Sequence, residues 1–342
     1  MRYPEFLEKE GTIGFIAPSF GCTIPPYNFR FDKAISVFEG MGYKCVEGPN
    51  ARASAGIGKS NTPEACGAEV NDFFINKKTD VIISCGGGEL MCEDLPFIDF
   101  EAIKKAESTW YMGFSDNTNL TFLLPTLCDT AAIYGPCVSD FGMSPWHKAI
   151  EDAFSLLKGE RKSFKNYDGW ESESPDKEAN PYAPYNINEP YQQVIAGKAE
   201  KAAGFEGRLI GGCMDCLVNL CGTPFDKVKQ FNERYKEDGI IWFIEACDLY
   251  PMGIRRALWQ MKENGWFEYV KGFIVGRPMH YNEEFDGFTC KDAVTGILGE
   301  YDVPIILDVD LGHMHPMIPL ISGSYAKVSA VENSFNIEMF LS

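Results

Sequence analysis

The chain has 342 residues, of which 45% are hydrophobic and 23% charged, and its formal net charge is −18. These values describe a globular protein, not a disordered one, and the chain is long enough for two domains with separate cores. A surface with 49 Asp and Glu against 31 Lys and Arg repels nucleic acid and anionic membranes, so neither is expected as a partner.

The first eleven residues are charged and contain no apolar segment of the kind that signal peptides carry. The longest apolar runs have the length of strands and are too short to cross a bilayer. Twelve cysteines in a long chain without such a signal are expected to be reduced and mostly buried. The sequence therefore predicts a cytoplasmic protein.

The first half of the chain alternates between short β-favouring runs and helical patterns. The predicted strands are residues 12–17, 43–46, 80–85, 109–114 and 131–134, and the predicted helices are 29–38, 63–75 and 117–124. This alternation predicts a parallel sheet covered by helices on both faces, as in flavodoxin-like and Rossmann-like domains. Functional loops in such sheets follow the carboxyl ends of strands, and three candidates are 18–21, 86–88 and 113–116.

Residues 167–191 interrupt the alternation, because they are polar, aromatic and rich in proline without any periodicity. This composition predicts a long loop or linker, which we place at 166–200 between an N-terminal domain at 1–165 and a C-terminal domain at 201–342. Packing of its aromatic side chains onto the surface is favoured over a role as a lid on a ligand.

Regular patterns resume after the linker. Residues 207–212 lead into a predicted helix at 213–220, and two further helices are predicted at 254–264 and 288–298. The predicted strands are 240–246, 272–275, 304–309, 325–331 and 335–340. The two strands in succession at the end favour a mixed sheet, so the second domain is also predicted to be α/β.

A single serine, Ser115, stands at the bend between the strand 109–114 and the helical pattern that opens at Asn117. Gly113 lets the turn close, as in a nucleophile elbow, which exposes a serine hydroxyl between a strand and a helix. Asn117, however, occupies the position of the second elbow glycine. From this stretch alone, a serine that caps the helix through its hydroxyl is favoured over a nucleophile.

A nucleophilic serine needs a general base, which is usually histidine. Of four histidines, the strongest candidate is His313, because it lies on a glycine-containing loop just after an apolar strand, and His315 is an alternative. Glu245 ends a strand of nearly unbroken apolar residues, where a buried carboxylate has to be paired. Glu245 is therefore the candidate for orienting the histidine, and Asp248 is its competitor.

The glycines at 86–88 can bring backbone N–H groups close to a ligand, and one of them could form an oxyanion hole with the N–H of Asp116. The alternative is a tight strand-to-helix turn.

Cys213 and Cys216 form a lone CxxC within a helical pattern. Core packing is favoured there over a zinc site or a redox pair, because neither a second cysteine pair nor a histidine is near in sequence.

Taken together, these segments resemble the LD-carboxypeptidase family of serine peptidases, including its microcin C immunity-type branch. The serine motif Gly-Phe-Ser-Asp-Asn-Thr at 113–118 is similar to the Gly-[Tyr/Phe]-Ser-Asp-x-Thr motif of the family. The other matching segments, in the order of the family, are 14–19, 86–88, 207–212, 220–224, 255–256, 276–278 and 312–323.

The resemblance implies a Ser–Glu–His triad in which Ser115 is the nucleophile, His313 the general base and acid, and Glu245 the residue that orients His313. It implies an oxyanion hole from the N–H groups of Gly87 and Asp116, a site between the two domains, and a homodimer. Gly88 and Trp170 are candidate substrate contacts, and neither a metal nor an organic cofactor is expected.

The implied activity is hydrolysis of a small amide, either the L,D bond of a muropeptide or a peptidyl-nucleotide of the microcin C type. The aromatic 167–191 segment, with Trp170 able to stack on a ring, favours the immunity-type branch slightly. Three departures bear on specificity: Cys213 replaces the usual Asn, Ala246 replaces a common acidic residue, and Glu89 follows the glycines.

Two other functions remain open at this point. One is a non-catalytic protein that binds a small molecule in the same cleft, which retention of all three triad residue types argues against. The other is a thiol redox protein built on Cys213 and Cys216.

Overall fold

The computed structural model describes residues 1–199 and 201–342. The chain forms two compact units, of which the first comprises Met1–Arg161 with Glu173–Asn186, and the second Lys162–Ser172 with Ile187–Ser342. The middle of the segment at 166–200 thus belongs to the first unit and its flanks to the second. This segment also contains short strands, although its composition predicts a loop throughout.

The first unit is a parallel sheet with helices. Its strands are β1 (Thr12–Ile16), β2 (Lys44–Glu47), β3 (Val81–Ser84), β4 (Trp110–Gly113) and β5 (Ala132–Tyr134). Its helices are α1 (Tyr27–Gly40), α2 (Pro63–Ile75), α3 (Phe100–Lys105), α4 (Thr118–Thr121), α5 (Leu123–Cys128) and α6 (Lys148–Leu157). These five strands run parallel in the order β2-β1-β3-β4-β5, which is the order of flavodoxin-like sheets.

Local chemistry explains why these elements begin where they do. In α2, the Thr62 side chain accepts a hydrogen bond from the N–H of Ala65, and Pro63 occupies the first turn, where its missing N–H costs nothing. The strands β3 and β4 are buried along their whole length, as expected for central strands of a covered parallel sheet.

The predicted helix at 117–124 is wrong in its extent. The structure instead has a 3-10 turn at Ser115–Asn117, the short helix α4, and a separate helix α5 from Leu123. Pro125 has no N–H to donate within a continuing helix, but it fits the first turn of a new one. A fresh helix start at Leu123 therefore accommodates this proline.

The second unit is a mixed sheet with helices. Its strands are β6 (Ser163–Lys165), β7 (Gly169–Trp170), β8 (Glu189–Pro190), β9 (Val194–Gly197), β10 (Ala202–Cys213), β11 (Ile240–Glu245), β12 (Val270–Gly276), β13 (Glu284–Phe285), β14 (Phe288–Thr289), β15 (Pro304–Val309), β16 (Leu320–Ser322), β17 (Tyr325–Val331) and β18 (Ser334–Phe340). Its helices are α7 (Met214–Leu220), α8 (Val228–Arg234), α9 (Pro251–Glu263) and α10 (Cys290–Leu298).

The main sheet of this unit has eight strands in the order β6-β18-β17-β10-β11-β12-β15-β9. The four strands β10, β11, β12 and β15 are parallel, and antiparallel strands extend the sheet on both sides. The predicted α/β class, with a parallel first sheet and a mixed second one, is thereby confirmed. Within residues 1–199 and 201–342, none of the helices combines the length and the apolar character that a membrane span requires.

The strand β10 is longer than its sequence suggests and changes partners along its length. From Ala202 it pairs antiparallel with β17, and from Arg208 it also pairs parallel with β11. The strand continues through Cys213, so the helix predicted at 213–220 begins one residue later, at Met214. Cys213 is thus the last residue of a strand, at the carboxyl end of the parallel sheet.

Within the first unit, a buried arginine holds the segment Glu173–Asn186. Arg30, on α1, is 4% exposed, and its Nε donates to the carbonyl of Pro181 at 2.5 Å. Its Nη2 donates to the carbonyl of Ala183 at 2.7 Å. The N–H of Ser144 adds a hydrogen bond to the carbonyl of Tyr182 at 2.9 Å. This part of the sequence has no regular structure, so contacts such as these help to order it.

We therefore expect Arg30→Ala to loosen the segment Glu173–Asn186 without unfolding the unit. Hydrogen bonds from a charged donor contribute roughly 1.5–3 kcal/mol each, so limited proteolysis within this segment should accelerate by about tenfold or more. Mass spectrometry of the fragments measures the rate and the position of the cut. Arg52→Ala is the matched control, because Arg52 is exposed, pairs with the surface carboxylates of Asp32 and Glu47, and lies over the Phe31 ring at 4.7 Å. Equal cleavage rates for the two variants would contradict the anchoring role of Arg30.

Candidate active site

The bend that carries Ser115 follows directly on β4, in the middle of the first sheet. The backbone of Ser115 has φ 63°, in the left-handed region that non-glycine residues rarely adopt. Its N–H donates to the hydroxyl of Tyr134 at 3.3 Å. The N-cap residues of the 3-10 turn and of α4 are Phe114 and Asn117, and neither side chain makes a capping hydrogen bond, so Ser115 is not the N-cap residue of either element. Strain of this kind is typical of functional positions.

Asn117, which replaces the second elbow glycine, has an ordinary helical φ of −63°, so the turn needs no glycine there. Its side-chain nitrogen donates to the carbonyls of Gly86 at 2.9 Å and Phe114 at 3.0 Å, and its oxygen accepts from the Tyr111 hydroxyl. A Cβ on Gly113 would lie 2.9 Å from Asn117. Asn117 therefore ties the serine turn to the glycine loop, at a distance that only glycine at 113 allows.

The glycine loop lies against the serine. A Cβ on Gly87 would stand 3.0 Å from Ser115 Cβ, 3.1 Å from its Oγ and 4.0 Å from the nitrogen of Asp116. The structure thus brings together three of the predicted residues. Within the described parts of the chain, the Gly87 N–H has no backbone acceptor. The predicted oxyanion hole requires an N–H at this position.

Gly88 has a different role from Gly87. A Cβ on Gly88 would lie 2.1 Å from Ser19 Oγ, so a side chain there would displace Ser19. Ser19 Oγ donates at 2.5 Å to the carboxylate of Asp116, which also accepts from the N–H of Met91 at 3.0 Å. Gly88 therefore permits a contact that fixes Asp116, and its assignment as a substrate contact remains a prediction.

Two further carboxyl groups are buried in the first unit. Burial raises the pKa of Glu69 to about 7, although hydrogen bonds from the backbone N–H groups of Asn50 and Ala17 act to lower it. Burial, partly offset by Lys59 and reinforced by Asp116, raises the pKa of Asp94 to about 8. At neutral pH Asp94 is therefore mostly uncharged and Glu69 partly so, which limits the negative charge inside the acidic first unit.

The second group of predicted residues is a histidine–carboxylate pair in the second unit. Glu245 is the last residue of β11 and is fully buried, and His313 lies on the loop after β15. The two side chains are joined by a hydrogen bond of 2.8 Å between Nδ1 of His313 and Oε2 of Glu245. Gly312 has φ 93°, and a Cβ there would lie 2.5 Å from Oε2 of Glu245, so this position requires glycine.

The electrostatics of this pair favour a protonated imidazole. Burial opposes the charge on His313, but the carboxylate of Glu245 outweighs it, and the Cys247 thiol adds a hydrogen bond, so the pKa of His313 is raised well above 6.5. The competitor Asp248 is exposed, and its N–H donates to the carboxylate of Asp215. The structure therefore joins His313 to Glu245, as the sequence predicts. The contact from Cys247 has no signal in the sequence.

The other histidines have structural surroundings. The ring of His147 caps α6 by accepting from the N–H of Ala149 at 3.1 Å. The ring of His280 stacks on Tyr250 at 4.0 Å between centroids. The carbonyl of His315 accepts from the N–H of Glu171 at 2.8 Å. The ring of His313 hydrogen-bonds a buried carboxylate, whereas the contact described for His315 is made by its backbone, and the choice of His313 as general base stays a prediction.

The CxxC motif has no support as a redox pair. A hydrogen bond with Cys216 and burial together raise the pKa of Cys213 well above its ordinary value, whereas reactive thiols have lowered pKa values. All twelve cysteines are free thiols.

Trp170 lines a cavity of about 390 Å³ in the second unit. The guanidinium carbon of Arg277 lies 4.3 Å above the Trp170 ring, and Tyr281 contacts it edge-on at 5.0 Å. Arg277 is buried and also pairs with Asp310 at 3.3 Å. Trp170 is only 8% exposed, so one ring face is already covered. The sequence interpretation missed Arg277 as a cavity residue, although the Gly-Arg-Pro motif at 276–278 contains it.

The fold and these two groups of residues define a two-unit α/β protein whose candidate catalytic groups follow the carboxyl ends of parallel strands. The LD-carboxypeptidase N-terminal domain matches residues 13–135, and the LD-carboxypeptidase C-terminal domain matches residues 206–328. Together the matches cover well over half of the chain. The chain belongs to the LD-carboxypeptidase family of peptidases, as the motifs predict.

Among curated relatives, the chain is 27% identical to the microcin C7 self-immunity protein MccF of Escherichia coli, over 97% of this chain and 94% of that protein. It is 24% identical to a Bacillus subtilis protein named "Probable murein peptide carboxypeptidase", over 98% of this chain and 94% of that protein.

Two solved structures show the same fold. An MccF-like protein from Bacillus anthracis matches with a TM-score of 0.82 at 19% identity, over 99% of this chain and 100% of that one. MccF in complex with aspartyl sulfamoyl adenosine matches with a TM-score of 0.81 at 22% identity, over 99% and 98%.

Proposed function

We propose that this protein is a serine-type amidase that hydrolyses a small peptide or peptidyl-nucleotide amide, with Ser115 as nucleophile, His313 as general base and acid, and Glu245 as the residue that orients His313. The observation that carries the proposal is the 2.8 Å hydrogen bond between a fully buried glutamate and the histidine at the end of a parallel sheet. A buried carboxylate is stable only with such a partner, and this pairing fixes the imidazole in one orientation.

The chemistry follows from the residues. Ser115 Oγ attacks the amide carbonyl carbon while His313 takes the hydroxyl proton and Glu245 stabilises the resulting imidazolium. The N–H groups of Gly87 and Asp116 hold the oxyanion of the tetrahedral intermediate. The intermediate collapses as His313 protonates the leaving amine, which leaves an acyl-serine. His313 then takes a proton from water, and the hydroxide releases the acid and regenerates Ser115.

The left-handed backbone of Ser115 and the closeness of Gly87 support this assignment. A strained turn presents the serine hydroxyl at the end of the strand, which is the geometry that acyl transfer needs. Gly87 has no Cβ to obstruct the space beside Ser115 Oγ, where a carbonyl oxygen would be held. An alanine at this position would place a methyl group 3.1 Å from the hydroxyl.

For the substrate, we favour the peptidyl-nucleotide class over the muropeptide class. MccF, which shares 27% identity with this chain over nearly its whole length, is a microcin self-immunity protein, and its structures hold aminoacyl sulfamoyl nucleosides. In this chain, the cavity beside Trp170 is lined by Arg277 and Lys291 together with Glu189 and Asp308, and this mixed charged lining suits a strongly polar substrate.

A substrate panel tests both the reaction and its class. The wild-type protein is incubated with a muropeptide tetrapeptide and with aspartyl sulfamoyl adenosine, and the products are identified by mass spectrometry. We expect amide cleavage of the nucleoside compound, with free aspartate as one product. Cleavage of the tetrapeptide alone would place the chain in the muropeptide class.

Covalent labelling tests the nucleophile independently of the substrate. An alkyl fluorophosphonate should form a single adduct on Ser115, located by peptide mass spectrometry, because activated serines react with such reagents through the same oxyanion geometry. Absence of both labelling and cleavage would overturn the proposal and leave a non-catalytic binding protein as the better interpretation.

A further inference from the structure

We propose that Cys213, Glu245 and His313 form a binding site for a thiophilic divalent metal ion of the zinc type, and that the bound ion inhibits the enzyme. The site itself stands on the structure of the second unit alone. Only the inhibitory consequence rests on the proposed function, because it requires His313 to act as general base.

The topology of the sheet brings the three residues together. Cys213 and Glu245 end the neighbouring parallel strands β10 and β11, where they are partners in register. His313 reaches the same sheet end from the loop after β15, and its ring is hydrogen-bonded to Glu245. One donor atom from each residue, a thiol sulfur, a carboxylate oxygen and a ring nitrogen, lies within 4.8 Å of the other two.

These separations are close to those of a metal site. Zinc binds nitrogen, oxygen and sulfur at about 2.0–2.3 Å, which places two ligands of a tetrahedral ion roughly 3.3–3.8 Å apart. Small rotations of the three side chains would bring them into that range. The cluster therefore needs adjustment of side chains only, and no movement of the strands that carry them.

The donor set selects the class of metal. Sulfur together with imidazole and carboxylate is typical of zinc and cadmium, whereas magnesium and calcium require oxygen ligands. Cys213 and Glu245 are buried, while the side chain of His313 is 13% exposed, so the ion has access from the side of His313. Three protein ligands leave the fourth position of a tetrahedral ion to water.

The thiol of Cys213 is the ligand that distinguishes this site from the arrangement expected for the family. The resemblance to the LD-carboxypeptidase family leads us to expect asparagine at this position, and an amide is a far weaker ligand for zinc than a thiolate. An ion held here occupies Glu245 and a ring nitrogen of His313, so the imidazole can neither keep its orientation nor accept the proton of Ser115. The thiol proton passes to the solvent when the ion binds, and removal of the ion restores the pair.

Direct binding is measured on the full-length Ser115→Ala variant, so that no turnover interferes. We expect Zn²⁺ to bind with a stoichiometry of about one by calorimetry, and Cd²⁺ to give the ultraviolet absorption of a cadmium–thiolate bond. Adding Cys213→Asn should weaken binding by about a hundredfold and abolish this absorption. Adding Cys247→Ser is the matched control, since Cys247 contacts His313 but lies outside the proposed ligand set, and it should change affinity by less than about threefold.

Inhibition is measured separately on proteins with an intact Ser115, each normalised to its own activity without metal. Micromolar Zn²⁺ should inhibit the wild-type protein reversibly, with recovery on addition of a chelator, and Cys213→Asn should resist it. Binding that depends on Cys213 supports the site even if neither substrate is cleaved. Equal affinity in Cys213→Asn, or an equal loss in Cys247→Ser, overturns it. Cys213→Ser serves as the second variant if the asparagine variant does not fold.

Discussion

Replacing Ser115 with alanine is expected to lower kcat/KM by at least ~10³-fold on whichever amide the wild-type protein cleaves, because removal of a nucleophile eliminates the acyl-enzyme route. Substrate affinity, measured by calorimetry, should change little, since the hydroxyl acts mainly in the transition state. Ser324→Ala is the control, because its hydroxyl donates to the carbonyl of Ile321 within a buried turn, and it should retain activity within about threefold. Equal turnover by wild type and Ser115→Ala would show that Ser115 has no chemical role.

The same position offers a test of the strained backbone. Since Ser115 has φ 63°, a glycine there should be more stable than an alanine, by about 1 kcal/mol, because only the glycine adopts the left-handed region without strain. Thermal unfolding of Ser115→Gly and Ser115→Ala measures the difference, and both variants should be inactive. If the alanine variant unfolds at the higher temperature, the turn is not strained in the way that the structure indicates.

Much of the fold follows from local sequence. The helix α2 begins and ends at the predicted residues, because Thr62 and Pro63 mark its start with specific chemistry. The sequence also predicts the strand β17 at its full length, and the structure buries every second residue along it. Where one residue has a definite conformational preference, the sequence predicts the boundary.

Elements that depend on distant partners could not be predicted. The two-residue strands β7 and β8 exist only because they pair with each other across an irregular segment. The helices α3 and α8 are six and seven residues long, too short for a helical period to stand out. The segment Glu173–Asn186 clusters with the first unit, and nothing local in its sequence indicates the arginine that holds it.

For the site, residue types and strand ends could be predicted, but contacts could not. Glu245 was identified because a carboxylate among apolar strand residues needs a partner, and the structure supplies His313. That Cys213 stands in register beside Glu245 depends on how two strands pair over a separation of about thirty residues. The sequence placed Cys213 in a helix, so it offered no reason to associate this thiol with the histidine.

Replacing Glu245 with glutamine should lower kcat/KM by roughly 10²–10⁴-fold, with a structure that is otherwise retained. The amide can donate a hydrogen to Nδ1 of His313, which favours the tautomer that carries its proton on Nε2 and leaves no lone pair there for the serine. It also lacks the negative charge that stabilises the imidazolium. Glu206→Gln is the matched control, since Glu206 forms an exposed ion pair with Lys327, and it should have almost no effect.

The pH dependence gives the sharper measurement. His313 must be neutral to accept a proton, and its pKa is raised well above 6.5 by Glu245 against the opposing effect of burial. The activity of the wild-type protein should therefore fall as the pH decreases through this raised pKa, with an acidic limb above about pH 6.5. Without the carboxylate charge, burial lowers the pKa of His313 against the contribution of Cys247 only, so the residual activity of Glu245→Gln should show its limb at lower pH.

The free energy of unfolding should also depend on pH, because the pKa of His313 differs between the folded and unfolded states. The charged pair contributes to the free energy of unfolding below the pKa of an unfolded histidine, and this contribution is lost as the pH rises through the raised pKa of the folded state. Urea unfolding of wild type and Glu245→Gln should thus differ most in mild acid and converge in alkali. If the acidic limb of the rate profile and the loss of the stability difference occur over the same pH range, both effects arise from the ionisation of His313. An acidic limb that stays in place in Glu245→Gln would instead mean that another group limits the rate, and the role of Glu245 as the orienting carboxylate would have to be abandoned.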